Sequence, residues 1–140
     1  MSMVDLYAER RIRRSPQAYT AIVYQLEHIF SSQSLKHFVL GDSRGLVLAA
    51  AGDQEAAAAL AAYAPMLAAY RGRSRRTIVE RLEAMVPGVL AESLSIRSFT
   101  VDGETLYLCS VGQQTAARQA SLYRAVTGIR RILDQTAVAA

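Results

Sequence analysis

The chain has 140 residues, of which 51% are apolar and 20% charged, with three prolines and a formal net charge of +4. That balance fits one domain with a packed core, burying roughly 68–70% of its unfolded surface, and excludes a disordered chain. The single cysteine, Cys109, excludes an intramolecular disulfide, and no metal-ligand spacing surrounds it.

The basic excess is almost wholly arginine, fifteen Arg against one Lys. Residues 1–15 read as a basic lead holding Arg10, Arg11, Arg13 and Arg14. No long apolar run precedes those charges, so no signal peptide is expected and the predicted location is cytoplasmic. Ser15-Pro16 opens a helix, with serine as N-cap and proline at the first helical position. Tyr19, Ile22, Val23, Leu26, Ile29 and Phe30 then recur at helical spacing and form its apolar face.

The runs His37–Leu40 and Leu46–Ala51 flank Gly41-Asp42-Ser43-Arg44-Gly45, whose turn chemistry predicts a β-hairpin. Both runs are nearly continuous in apolar character, so both strands are expected inside their sheet with each face covered. Asp53 caps the next helix, and Glu55 lies in its first turn. The body, residues 56–70, is 15 residues long, carries no charge on any face and contains Pro65. It falls short of the ~20 residues that span a bilayer. Proline at that position predicts a kink.

A helix apolar all round must be covered all round, and one sheet covers only one side. Leu60, Tyr63 and Leu67 form a bulky stripe, while Ala58, Ala62, Met66 and Ala69 form a small-residue stripe opposite. The second stripe is the expected interface of a homodimer. Arg71, Arg73, Arg75 and Arg76 follow as a predicted loop whose mutual repulsion favours exposure and an acidic partner. Thr77-Ile78-Val79-Glu80 fits a capping box and opens a short helix, with Ile78, Val79, Leu82, Met85 and Val86 on one face, stopped by Pro87-Gly88. Val89-Leu90 is a candidate short edge strand.

Leu94–Val101 and Thr105–Val111 flank Asp102-Gly103, a strong hairpin signal. In the second of these strands Thr105, Tyr107, Cys109 and Val111 are assigned to one face, Leu106 and Leu108 to the other. A last helix is predicted from about Thr115 to Asp134, with Leu122, Val126, Ile129 and Leu133 buried and Gly128 marking close packing. The fold class is α/β of the α+β kind: a layered sandwich with a mainly antiparallel sheet of 4–5 strands and helices packed on it. The domain is expected over residues 16–136, with a tail at 137–140.

Chemistry is thinly represented. His28 and His37 stand on separate elements, Cys109 lies mid-strand, and Asp42, Asp53 and Asp102 each have a turn or cap role. No phosphate-binding loop, zinc or EF-hand spacing occurs. No catalytic, cofactor-binding or metal-ligating residue is therefore expected, and the chain reads as a non-enzyme. Arginine clusters are the footprint of phosphate binding. Yet neither cluster is interleaved with stacking aromatics and no recognition helix is evident, which argues against nucleic acid as the partner.

The segment from His37 to Gly52, with its Asp turn, Gly45-Leu46-Val47-Leu48-Ala49 strand and the alanine-rich helix after it, resembles the roadblock/dynein light chain family. Leu106-Tyr107-Leu108 through Val111-Gly112, with the helix containing Gly128-Ile129, is similar to that family's closing strand and terminal helix. The resemblance implies a homodimer through the central helices and a non-catalytic adaptor or regulator of a small Ras-like GTPase, as bacterial members are. The family has five strands, three after the central helix, where only two are plain here. Read from the residues alone, the alternative is a structural or sensing module that binds an acidic protein, lipid or nucleic-acid surface through its arginines.

Overall fold

The computed structural model describes residues 16–139, with side chains as far as Asp134. The basic lead, with Arg10, Arg11, Arg13, Arg14 and the Ser15 cap, lies outside the described residues. The elements are α1 (Pro16–Ser32), β1 (His37–Gly41), β2 (Val47–Ala51), α2 (Gln54–Ala69), α3 (Gly72–Met85), β3 (Leu94–Val101), β4 (Glu104–Val111) and α4 (Ala116–Ala139). The strands form one antiparallel sheet in the order β2-β1-β4-β3. This is the α+β layered sandwich expected from the sequence, with α1 and α4 on one face of the sheet and α2 and α3 on the other.

Alternation along the strands feeds both layers. Phe38, Leu40, Leu106, Leu108, Phe99 and Val101 meet Ile22, Leu26, Ile29, Leu122, Ile129 and Leu133 of α1 and α4. Val39, Cys109, Val111 and Leu94 meet Leu60, Leu67, Ile78, Val79 and Leu82 of α2 and α3. The continuous apolar run of β1 is thus explained by its central place, with a helical layer on each side. The same expectation fails for β2, which is an edge strand, with Leu46 and Val47 exposed.

Two turns are set by residues that tolerate positive φ. Asp102 (φ 49°) and Gly103 (φ 79°) close the β3–β4 hairpin as a type I′ turn. In the β1–β2 turn the buried Asp42 carboxylate accepts the N–H groups of Arg44 (2.9 Å) and Leu46 (3.0 Å), so an acid whose charge is shielded by backbone donors shapes the loop. Gly45 (φ 83°) lies against α2, where a Cβ would stand 3.0 Å from Ala62 Cα.

Several sequence-based expectations need correction. Arg71 to Arg76 is not a loop: Arg71 is the N-cap of α3, and Arg73, Arg75 and Arg76 lie in its opening turns. Thr77 is therefore mid-helix, its hydroxyl donating back to the Arg73 carbonyl (3.1 Å) instead of making a capping box. Met85 points to solvent, as does Tyr19 on α1, where the small Ala18 takes the buried position. Val89-Leu90 forms no strand; Val89 is buried beside α3. Helix α4 continues past Asp134 to Ala139. Gly128 meets its expectation: a Cβ there would come 2.4 Å from Gln25 Nε2 on α1, so the two helices approach closely.

The Gly45–α2 contact generates a prediction. Gly45→Ala forces an L-residue into positive φ and against helix backbone, and is expected to cost about 1–3 kcal/mol. Gly103→Ala, at similar φ but in open space, incurs only the backbone strain. Urea unfolding of both variants measures the difference, and Gly45→Ala is the less stable.

Candidate functional site

Helix α2 supplies the first surface. Asp53 caps it, its carboxylate accepting the Ala56 N–H at 3.0 Å. The buried residues Ala57, Leu60, Ala61, Ala64 and Leu67 face the sheet and α3. All four residues of the small stripe, Ala58, Ala62, Met66 and Ala69, are exposed and share the opposite face. Leu46, Val47 and Tyr70 are exposed as well, and Gly45, next to Leu46 in the chain, lies against Ala62. The helix therefore has a charge-free face that neither the sheet nor α3 covers.

The junction between α2 and α3 supplies the second. The Arg71 guanidinium donates to the carbonyls of Ala68 (2.8 Å) and Tyr70 (3.1 Å), where the carbonyl end of α2 favours a cation. The first turn of α3 has no acid and no side-chain cap, although a helix start favours negative charge. Arg71, Arg73 and Arg76 are exposed and Arg75 is half-buried. Arg71 and Arg75 come together with Leu67, Ala68, Ile96 and Ser98 around a cleft of about 240 Å³ between α2, α3 and β3. Arg73 and Arg76 are not part of it.

The titratable groups considered for catalysis stay apart. His28 is exposed on α1. Burial lowers the His37 pKa, opposed by the Asp53 charge, and its Nδ1 has no hydrogen-bond partner. Burial pushes the Cys109 thiol up to about 12, partly opposed by Arg118 and Arg75, so it is protonated and unreactive at neutral pH. Among the described residues no group of three or more His, Cys, Asp or Glu is placed to hold a metal, and no helix is long and apolar enough to cross a membrane.

Sequence reasoning missed Arg118. It is fully buried in the first turn of α4, behind the Thr115 cap, whose hydroxyl accepts the Arg118 N–H at 3.0 Å. Its guanidinium donates to the carbonyls of Gly112, Ser93 (3.1 Å) and Ser110 (3.1 Å), and to the Ser110 hydroxyl (2.8 Å). A cation in a helix's first turn is disfavoured by the dipole, and that anomaly was the available signal. Arg97 was missed too: its guanidinium donates to the Gln119 side-chain oxygen Oε1 at 2.8 Å.

No family model and no curated protein matches the sequence. The structure is similar to that of Myxococcus xanthus MglB, with a TM-score of 0.53 over 86% of this chain and 92% of that one, at 14% identity. At that identity the likeness shows a shared fold, the roadblock fold, and no more.

The Arg118 cluster is testable. Arg118→Met keeps the volume but strands buried carbonyls, each costing about 1–3 kcal/mol. The expected result is a loss of several kcal/mol in denaturant unfolding. Arg118→Lys, a compact ammonium without the planar fork, is expected to recover less than half of it.

Proposed function

We propose that the chain is a cytoplasmic, non-catalytic homodimeric regulator or scaffold of a small Ras-like GTPase. The observation that carries the reading is the charge-free outer face of α2, Ala58, Ala62, Met66 and Ala69, on a fold shared with MglB. An exposed apolar face of this kind marks an association surface. Small side chains permit close approach of two helices, so a second copy related by a two-fold axis is a natural cover. The resemblance of the β1–β2 hairpin and α2 to the roadblock/dynein light chain family supplies the GTPase, with bacterial members of that family as the model. Within this reading Arg71, Arg73, Arg75 and Arg76 contact the acidic surface of the partner.

The dimer would act by ordering the GTPase's own switch segments, shifting a population they already sample. Self-contained phosphoryl transfer lacks its parts in this sequence, which has no Walker-type lysine loop. A second reading is a module that binds an acidic protein or membrane surface without a GTPase. The exposure of Arg71, Arg73 and Arg76 favours it.

Two measurements test the proposal. Ala62→Arg places an unpaired charge in the interface, which costs several kcal/mol when buried. Light scattering is expected to show a dimer for wild type at micromolar concentration and a folded monomer for the variant. A monomeric wild type overturns the dimer. Titration into Ras-like GTPases of the same organism, loaded with GTP or GDP analogues, is expected to give affinity that differs between the two states. Equal affinity, or no binding, leaves the second reading in place.

A further inference from the structure

Among the described residues the sheet ends at β3, and no strand pairs with its outer edge. In the β3–β4 register Val101 pairs with Glu104 across the type I′ turn, followed inward by Phe99 with Leu106, Arg97 with Leu108 and Ser95 with Ser110. Residues flanking a two-residue turn exchange both peptide hydrogen bonds, and such pairs alternate along an antiparallel ladder. The Gly112 N–H donating to the Ser93 carbonyl (3.0 Å) continues the same alternation. The N–H and C=O of Ile96, Ser98 and Thr100 therefore point out of the sheet. Edges of this kind are normally blunted by charged side chains, proline, a bulge or shortness. β3 is eight residues long, contains no proline, pairs with β4 without a bulge, and its one charge, Arg97, is turned to Gln119 on α4.

Arginines flank the edge on both faces of the sheet. Arg71 and Arg75 line the cleft with Ile96 and Ser98 on the α2 side. On the α4 side Arg97 reaches Gln119, and the Arg130 guanidinium lies over the Phe99 ring at 5.8 Å. β3 itself has no acid; Glu92 and Asp102 lie beyond its two ends.

We infer that the β3 edge binds an extended acidic segment of a partner protein as a fifth strand. Main-chain pairing to Ile96, Ser98 and Thr100 supplies the attachment, as in other strand additions. Successive side chains of the added strand point to opposite faces. Alternate carboxylates therefore meet Arg71 and Arg75 on one face, Arg97 and Arg130 on the other. Charge complementarity selects this occupant over a second copy of β3, which would set the two copies' arginines against one another. The inference shares Arg71 and Arg75 with the reading above but requires no GTPase.

The probe is a fluorescent peptide of about seven residues in which pairs of adjacent glutamates are separated by single valines or threonines, so that carboxylates project to both faces, matched to the length of the edge. Titrated alone with the full chain, it is expected to bind, and to bind more weakly as salt rises. Replacing its glutamates by glutamine is expected to weaken binding at least tenfold, about the effect of losing one or two charged hydrogen bonds. Ser98→Pro removes an outward donor that the β4 ladder does not use, so the edge tolerates it, and the peptide is expected to bind at least tenfold more weakly. Methylating alternate amide nitrogens of the peptide makes the same test without altering the protein. Arg75→Ala is expected to weaken binding and flatten its salt dependence. The inference is overturned if no acidic peptide binds, or if the methylated or glutamine peptide binds as well as the parent. It is also overturned if Ser98→Pro dissociates a wild-type dimer, since the edge then belongs to a second copy. Because no GTPase is in the assay, its failure leaves the GTPase reading untouched.

Discussion

The buried guanidinium of Arg118 ties the start of α4 to the end of the β3–β4 ladder. It collects the carbonyls of Ser93 before β3 and of Ser110 and Gly112 at the end of β4, from the first turn of α4. Burial lowers its pKa, yet a guanidinium stays charged at any pH at which a protein is folded. A charge fully withdrawn from water needs matched donors, and here carbonyl dipoles and a hydroxyl take those of the two terminal nitrogens, while Nε has no hydrogen-bond partner. The arrangement fixes where α4 begins, and so where its apolar line meets the sheet. It also fixes the β3 end of the sheet, because Ser93 stands immediately before that strand.

Close approach governs the other layer. The alanines of α2 let the helix lie on the β1–β2 turn near enough that Gly41 and Gly45 have little room for a side chain. Larger residues would lift the helix and open a gap that dispersion does not refill. Alanines recur on the outer face as Ala58, Ala62 and Ala69, which are exposed among the described residues. One compositional choice therefore serves two surfaces, an inner one packed against glycine and an outer one left bare. The arginines at the end of α2 stand where the helix's carbonyl end steadies one cation and the next helix's start repels several.

Much of this was legible in the sequence because local chemistry spoke plainly. Asp53, Asp102-Gly103, the alternation of Leu106 and Leu108 against Cys109 and Val111, and the uncharged body of α2 each predicted what the structure has. The failures share a cause, the dependence of the observed state on distant neighbours. Arg71 to Arg76 looked like a loop because four cations repel, but helical propensity and packing of Ile78, Val79 and Leu82 against α2 carried the helix back to Gly72. Strand β2 read as central because its residues are apolar, and composition does not tell an edge from an interior when the exposed residues, Leu46 and Val47, are themselves apolar. Arg118 was invisible as a structural residue: its partners are backbone carbonyls, which every residue has. The outer stripe of α2 and the arginine cluster were identifiable as surfaces from spacing alone, whereas the meeting of Arg71 and Arg75 with Ser98 depends on the sheet order.

The tight meeting of Gly128 with Gln25 ties the first described helix to the last. Gln25 Nε2 donates to the Arg124 carbonyl at 3.4 Å across 99 residues of sequence. Closing a loop of that length costs more entropy than closing either hairpin, whose strands are neighbours in the chain. The α1–α4 layer is thus the high-contact-order half of the molecule, and the α2–α3 layer the local half. Undocking α1 would break that long closure and uncover Ile22, Leu26 and Ile29 together with Phe38 and Leu40, whereas the α2–α3 pair and its outer face lie on the other side of the sheet.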